Sequence, residues 1–346
     1  MRVLILGVNG FIGHSLAARI LRDTDWHVAG MDLDDDRIQD LLGHPRMRFL
    51  EGDVAIHREW IEYHVKHSDV VLPLVAIATP ATYVKRPLAV FELDFEENLR
   101  VVRYAVKYGT RVVFPSTSEV YGMCPDKAFD EERSPLVMGP INKQRWIYAC
   151  AKQLLDRVIW AYGQEGLQFT LFRPFNWIGP NLDHMDSAKE GSSRVVTQFL
   201  GHLLRGEPLR LVDGGRQRRC FTYIDDGVDG LMQIIRNQDG AADGRIFNLG
   251  HPGNGCSIRE LAELMTEVLA GFPGWEHLRE THPFEEVSAT EFYGASYQDM
   301  ADRVPDIDQA RTWLGWEPRV SLQEAIRRTV AYYVGTPRPA LAGAGA

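Results

Sequence analysis

The chain has 346 residues, 45% of them hydrophobic and 25% charged, with a formal net charge of −9. That describes a soluble globular protein long enough for two lobes, and the acidic balance disfavours nucleic acid as a partner, because reading a phosphate backbone needs a basic surface. Four scattered cysteines (Cys124, Cys150, Cys220, Cys256) form no CxxC and read as free thiols of a reducing compartment. No apolar run reaches the roughly 18 residues of a membrane span, and Met1 leads straight into a strand instead of a signal peptide, so the expectation is a cytoplasmic protein with no membrane partner.

Met1–Leu6 is a nearly continuous apolar run, the pattern of a strand buried on both faces. It runs into Gly7-x-x-Gly10-x-x-Gly13 and then into a helix over His14–Arg22; a second apolar strand, His27–Met31, ends in Asp32. Strand, glycine turn, helix, strand and acid form the first half of a dinucleotide-binding unit, although the glycine spacing departs from GxGxxG. One glycine makes the tight turn, one lets backbone approach a pyrophosphate, and one lets the helix pack on the sheet, where its free amides face phosphate charge. At a strand end, the Asp32 carboxylate can accept both ribose hydroxyls of an adenosine and would repel a 2′-phosphate, which favours NAD over NADP.

Asp34–Leu42 carries Ile38, Leu41 and Leu42 at helical spacing and is expected as a short helix. Met47–Leu50 is a third strand; Asp53 beyond it either accepts from an adenine amino group or caps a helix starting near Ile56. Asp69–Val75 is a fourth strand, with Pro73 expected where it ends. The small residues Ala76–Pro80 follow, as backbone passing over a cofactor requires. Leu88–Tyr108 is predicted as one long amphipathic helix stopped by Gly109, and Arg111–Phe114 as the fifth strand. Such alternation argues an α/β fold with a mostly parallel sheet, whose reaction centre lies beyond the carboxyl ends of the strands. That places Ser116-Thr117-Ser118-Glu119 at the active edge.

Tyr121–Arg145 reads as loop, Trp146–Tyr162 as helix and Gln168–Phe172 as the sixth strand, ending in Arg173-Pro174-Phe175-Asn176. The boundaries expected are an NAD-binding domain at 1–174, a mainly substrate-binding lobe at 175–336 with 220–250 returning to the main sheet, and a flexible tail at 337–346. Within the second lobe, Asp183–Ser193 is polar and flexible, and Val195–Leu204, Asp225–Arg236, Ser257–Leu269 and Leu322–Tyr333 are helices. Asp213–Arg219 is a basic turn, Ile246–Leu249 a strand rejoining the sheet, and Pro273–Arg303 resists assignment.

Tyr148 and Lys152 stand one helical turn apart on one face. A phenol near pKa 10 is a poor base at neutral pH, but an ammonium beside it favours the phenolate. Ser116, Thr117 or Ser118 can bond the same substrate hydroxyl. These groups suit removal of an alcohol proton while hydride leaves the same carbon for a nicotinamide.

The glycine turn, Tyr148-x-x-x-Lys152 and the Ser/Thr strand end resemble the extended short-chain dehydrogenase/reductases, the NAD-dependent epimerase/dehydratase family, over nearly the whole chain. Four longer stretches are Pro115–Cys124 (PSTSEVYGMC), Cys150–Trp160 (CAKQLLDRVIW), Arg173–Pro180 (RPFNWIGP) and Gly214–Thr222 (GGRQRRCFT). They are similar to the dehydrogenase/decarboxylase modules of bifunctional polymyxin-resistance enzymes, which oxidise and decarboxylate UDP-glucuronic acid, with UDP-xylose and UDP-4-keto-pentose synthases as near relatives. The resemblance implies a Rossmann-type parallel sheet with helices on both faces, a smaller C-terminal substrate-binding lobe, NAD as cofactor and a UDP-sugar as substrate. It implies Tyr148 as catalytic base, Lys152 as its modulator and ribose ligand, and Thr117 orienting the sugar hydroxyl. Ser118, Glu119 and Arg303 would surround the carboxylate-bearing carbon, and Asn176, Arg194 and Arg219 would contact the nucleotide diphosphate. Cofactor contacts are expected from Gly7, Gly10, Phe11, Ile12, Gly13, Asp32, Asp53, Val54, Ala76 and Lys152. A homodimer is expected through the helices over Leu88–Tyr108 and Trp146–Tyr162, with Val101 and Val158 among the apolar residues available to it.

Oxidation at C4 of the glucuronic acid places a ketone beta to the C6 carboxylate, and loss of CO2 leaves an enolate whose charge spreads onto the C4 oxygen, where the Tyr148 proton stabilises it. Glu119 either binds a sugar hydroxyl, destabilises the substrate carboxylate or transfers a proton at C5; Arg303 supplies an acid or a counter-charge. The product is either a released 4-keto-pentose with NADH or UDP-xylose after re-reduction. The bifunctional enzymes carry a formyltransferase module ahead of this one, whereas Met1 begins the dehydrogenase strand, so no formyl transfer is expected. Three rivals remain: a 4-epimerase or 4,6-dehydratase, although Ser118 stands where dehydratases carry the Asp of an Asp-Glu pair; an NAD-binding sensor without turnover; and zinc held by His57, His64 and His67, for which exposed histidines are the better account.

Overall fold

The computed structural model describes residues 1–185, 193–280, 284–294, 296–300 and 302–335. The strands β1 (Arg2–Leu6), β2 (His27–Asp32), β3 (Met47–Glu51), β4 (Val70–Pro73), β5 (Arg111–Pro115) and β6 (Phe169–Pro174) follow in chain order. Beyond them come three short pairs. β7 (Trp177–Ile178) runs parallel to β10 (Thr222–Tyr223), β8 (Leu209–Val212) parallel to β13 (Phe284–Val287), and β9 (Arg218–Cys220) antiparallel to β12 (Gly255–Ser257). β11 (Arg245–Leu249) returns to the edge of the main sheet, whose order is β11-β6-β5-β4-β1-β2-β3 with every neighbour parallel. This is the Rossmann-type architecture.

The alternation of side chains along the strands divides the core into two layers. Val3 and Ile5 join the helices Phe11–Asp23 and Ile224–Arg236 on one face. Leu4 and Leu6 join Arg58–Lys66, Asn98–Tyr108 and Trp146–Gln164 on the other. All four residues are fully buried, which is why β1 reads as one unbroken apolar run. The first layer continues without interruption into the C-terminal helices through Leu261, Met265, Ile326 and Val330. Strand order reverses between β1 and β4, and such a reversal opens a crevice at the carboxyl ends. Gly7, Leu74–Ala78, Ser116–Glu119 and Asn176 all follow directly on those ends.

Three sequence expectations are corrected. Asp34–Leu42 is a run of turns closed by bonds such as Ile38 N to Asp35 O and Leu41 N to Ile38 O, not a helix. Asn9 organises it, its side-chain oxygen accepting from the amides of Arg37 and Ile38. The helix expected near Ile56 begins at Arg58, because Asp53 Oδ1 accepts from Ala55 N and shapes a turn first. Leu88–Tyr108 is not one α-helix: Pro87–Phe91 and Asn98–Tyr108 are α-helical, and Glu92–Glu97 between them is a wider π-helical turn. A helix at Pro80–Lys85, opened by a proline in its first turn, was not expected, nor was Asp308–Leu314. Pro73 is the last residue of β4, where a missing amide costs the ladder least. Pro273–Arg303 contains β13 and a short helix at Ala289–Tyr293. The tail at 337–346 and most of the Asp183–Ser193 stretch lie outside the described residues.

Candidate active site

The glycine turn is built against backbone. Gly7 has φ +88°, and a Cβ on it would meet Leu74 C at 3.1 Å. A Cβ on Gly13 would lie 2.2 Å from Gly7 O and 2.8 Å from Val8 Cα, so only glycine allows the helix to start this close to β1. Phe11 and Ile12 form the first turn of that helix. Asp32, at the end of β2, accepts from Asn9 N and Leu33 N at 2.8 Å each, and burial pushes its carboxyl up. Asn9 Nδ2 reaches Asp34 and Asp36, which crowds this edge with acids and suits a ribose better than a phosphate. Asp53 and Val54 follow β3, and Ala76 lies in the segment after β4. A turn that no side chain can fill, beside a carboxylate at the next strand end, fits a dinucleotide.

Beyond β5 the side chains divide. Ser116 turns into the core, its hydroxyl donating to Asp156 Oδ2 at 2.6 Å; of the three hydroxyls considered for the substrate, this one is already committed. Ser118 is buried at the start of the short helical turn Ser118–Tyr121, with Thr117 Oγ1 accepting from Glu119 N. Thr117 pulls down the Tyr148 phenol, which burial and the carboxylates of Asp94 and Glu119 raise well above its ordinary range. Tyr148 and Lys152 both face inward from Trp146–Gln164, at 7% and 1% exposure. Lys152 Nζ lies over the Phe114 ring and 3.8 Å from Asp94 Oδ1.

Glu119 is held between two guanidinium groups, with Arg145 Nη2 3.1 Å from one oxygen and Arg303 Nη1 3.1 Å from the other. Burial favours the neutral acid, but Arg145 and Arg303 together outweigh it and keep the carboxyl below its usual range. Arg145 is 1% exposed, stacks on Trp146, and keeps Nε and Nη1 without hydrogen-bond partners. Among the described residues the cavity above is lined by Arg145, Arg194, Arg210, Arg219 and Arg303 against only Glu119 and Asp299, a cationic pocket in an acidic protein. Trp177, Phe199, Phe221, Phe292, Tyr293 and Tyr297 supply aromatic wall.

Among the diphosphate candidates, all three line this cavity. Asn176 sits at φ +39° and donates to Cys220 O at 3.0 Å. Arg219 pairs with Asp299 at 2.7 Å. Arg194 is bound to Asp183 at 2.8 Å, with its guanidinium over the Phe11 ring.

Sequence reasoning passed over Arg145, Tyr83 and Asp94. Arg145 stands three residues before Tyr148, a spacing that places both on one helical face and was readable. Tyr83, which stacks on Tyr148, lies in the helix that Pro80 opens, a recognisable start signal. Asp94 depends on the π-helical turn and had no such signal. The histidines proposed for zinc do not converge: His64 packs on Trp60 and His67 on Tyr63, and among the described residues no group of three or more His, Cys, Asp or Glu is placed to hold a metal. The four cysteines are unpaired.

A glycine-turn dinucleotide site joined to a buried Tyr–Lys pair at the same sheet edge defines a nucleotide-dependent oxidoreductase of the short-chain type. The pattern of the NAD dependent epimerase/dehydratase family matches residues 3–250, and the chain belongs to that family, with NAD as its cofactor. The PbgP3 protein from Burkholderia pseudomallei is 59% identical over 96% of each chain, with a TM-score of 0.87. The fold is shared with a UDP-glucose 4-epimerase from Thermotoga maritima at 24% identity, over 97% of this chain and 99% of that one, with a TM-score of 0.77. It is shared also with a UDP-glucuronic acid 4-epimerase from Bacillus cereus at 20% identity, over 97% of this chain and 99% of that one, with a TM-score of 0.80. Among the described residues no helix is long and apolar enough to cross a membrane.

Proposed function

We propose that the protein oxidises UDP-glucuronic acid at C4 and releases its C6 carboxyl as CO2, giving a UDP-4-keto-pentose and NADH. The observation that carries this reading is the Arg145–Glu119–Arg303 cluster beside Tyr148 and Thr117. A neutral hexose has no use for two buried guanidinium groups at this point, whereas a sugar bearing a carboxylate supplies the second anion they can take, and Arg145 keeps two N–H donors for it.

NAD, held by the glycine turn, Asp32 and Lys152, would supply the hydride acceptor. Thr117 and Tyr148 bond the C4 hydroxyl, and Tyr148 takes its proton. Lys152 keeps the phenolate from being a lone buried anion. Once C4 is a ketone, the substrate carboxylate lies beta to it, and the bond to CO2 breaks as charge moves onto the C4 oxygen, where the Tyr148 proton is returned. Glu119 is ionised by its two arginines. A substrate carboxylate that draws Arg145 and Arg303 to itself raises the proton affinity of Glu119, so that it can take up a proton from solvent and deliver it at C5, the O4 proton going back to Tyr148 as the C4 ketone re-forms.

The uridine diphosphate is assigned to the arginine-lined cavity through Asn176, Arg194 and Arg219. The homodimer expectation needs other residues than first considered. Val101 is consumed by the monomer's own core and Val158 packs against it, so the exposed apolar residues on these segments are Leu88, Val106, Leu154 and Trp160; light scattering of the purified chain tests it.

The deciding experiment incubates the protein with UDP-glucuronic acid and NAD, following CO2, net NADH and the sugar product together. Stoichiometric CO2 and NADH are expected. CO2 without net NADH would instead mark the route that re-reduces the intermediate to UDP-xylose, and a C4 epimer without CO2 would overturn the decarboxylase reading.

A further inference from the structure

Lys152 and Asp94 are both sealed from water, with side chains 1% and 0% exposed, and face each other across 3.8 Å. That is an ion-pair distance but too long for a hydrogen bond, and neither Lys152 Nζ nor Asp94 Oδ1 has a hydrogen-bond partner among the described residues. A buried ammonium is expensive unless an anion answers it. The other carboxylate near Lys152 is Asp156, one turn further along the same helix. It is already engaged, its Oδ2 accepting from Ser116 Oγ at 2.6 Å and lying 3.5 Å from Arg173 Nη2. Asp94 is left to balance Lys152.

The π-helical turn at Glu92–Glu97 brings Asp94 there. Asn98 holds the turn in place, its amide nitrogen donating to Val75 O, Leu93 O and Asp94 O. In a regular α-helix each residue advances by about 100°, so closing the turn by one residue would swing Asp94 away from Lys152. The second oxygen of Asp94 accepts from Ile77 N at 3.0 Å, and Ile77 lies in the segment that follows β4 at the crevice. One carboxylate therefore touches both the ammonium and the backbone bordering the cofactor site.

We propose that Asp94 is a positioning residue for the dinucleotide: it keeps Lys152 charged and in place for a ribose of NAD, and through Ile77 it fixes the segment bordering the same crevice. The proposal rests on the assignment of Lys152 to NAD, but not on the identity of the sugar. Burial pushes the Asp94 carboxyl up to about 6 against the pull of Lys152, and pushes Lys152 down against the pull of Asp94, so each charge favours the other's ionised form. The remaining titratable neighbours, Tyr148 and Tyr83, are phenols raised by their own burial in the free protein.

NAD affinity of the full chain, measured by titration calorimetry without sugar, tests this. Asp94→Asn keeps an acceptor for Ile77 but loses the charge, and is expected to weaken NAD binding by at least ~10-fold. Asp94→Glu, which restores the charge, should return to within ~3-fold of the parent, and in a Lys152→Met background Asp94→Asn should add less than ~2-fold. Unchanged binding in Asp94→Asn, Asp94→Glu no better than Asp94→Asn, or a full additional loss on top of Lys152→Met would each overturn the proposal. If Lys152→Met alone binds NAD like the parent, the Lys152 assignment fails and the proposal falls with it. Should Asp94→Asn not fold, the double variant, which leaves no lone buried charge, decides the matter: an affinity equal to that of Lys152→Met supports the proposal, and a further ~10-fold loss refutes it.

Discussion

Tyr83 lies flat against Tyr148, with ring centroids 4.7 Å apart and planes within 7° of parallel. The pair closes one face of the phenol from water, and burial is the main reason why the Tyr148 phenol sits so far above its ordinary range in the free protein. Thr117 and Arg303 pull in the opposite direction. Lys152 is the cation on the same helix face, so the phenol's working state is set by the groups around it more than by its own chemistry.

Replacing Tyr148 by Phe keeps the stack and removes the proton carrier, and turnover is expected to fall by at least ~10²-fold. Tyr83→Phe, which also keeps the stack, should stay within about 3-fold of the parent, since its ring and not its hydroxyl meets Tyr148. Tyr83→Ala leaves a void beside the phenol and should cost about 3–5 kcal/mol of stability. Steady-state NADH formation and thermal melts separate the three variants.

Arg145 carries the acid-sugar reading. Arg145→Ala leaves Glu119 with Arg303 alone and removes the two unpartnered donors. Truncating one member of a buried charge cluster costs at least about 2 kcal/mol, so kcat/KM for UDP-glucuronic acid should drop by ~30-fold or more. Inhibition by UDP, which lacks the sugar carboxylate, should move less than ~3-fold. Equal losses for both ligands would place Arg145 on the nucleotide and not on the sugar acid.

The glycine turn gives a graded test. Gly13→Ala forces a Cβ to 2.2 Å from Gly7 O, with backbone on both sides of the contact, whereas Gly10→Ala meets only Gly7 O at 3.2 Å. Overpacking against backbone costs about 1–3 kcal/mol or more, so Gly13→Ala should lose NAD binding and melt earlier, while Gly10→Ala keeps a folded protein. Calorimetric NAD titration and melting curves report the two effects.

The sheet and the Tyr148–Lys152 pair were legible because they rest on local signals. Val3–Leu6 is buried on both faces and so reads as a run, and a spacing of four residues fixes a shared helix face wherever the helix packs. Asp94 shows what is not legible, and Glu119 what only the family resemblance pointed to. Asp94 meets Lys152 only because a π-helical turn interrupts what the apolar spacing describes as one helix. Arg303 reaches Glu119 across 184 positions of sequence, a meeting that no local spacing encodes and that only the resemblance implied. The Asp34–Leu42 segment erred for a related reason: its apolar spacing is helical, but Asn9 supplies distant side-chain acceptors that hold it as turns.

Glu131 sets a pH dependence of stability. It lies buried within the loop that follows Tyr121, accepts from Asn248 N at 2.7 Å, and its carboxyl is pushed up to about 7 by burial. An acid raised in the folded state binds more protons there than in the unfolded chain between the ordinary glutamate range and about 7. Its contribution to stability is therefore complete in acid and is lost as pH rises through that window, amounting to at most ~3 kcal/mol. Asp94, raised to about 6, acts with the same sign. Glu131→Gln keeps an oxygen for Asn248 N and cannot ionise. Its melting temperature should match the parent near about pH 5 and exceed it by several degrees near about pH 8. A parent that gains stability between those values, with the Gln variant tracking it at a constant offset, would show that Glu131 is ionised in the fold throughout and that its burial is balanced by charge rather than by a proton.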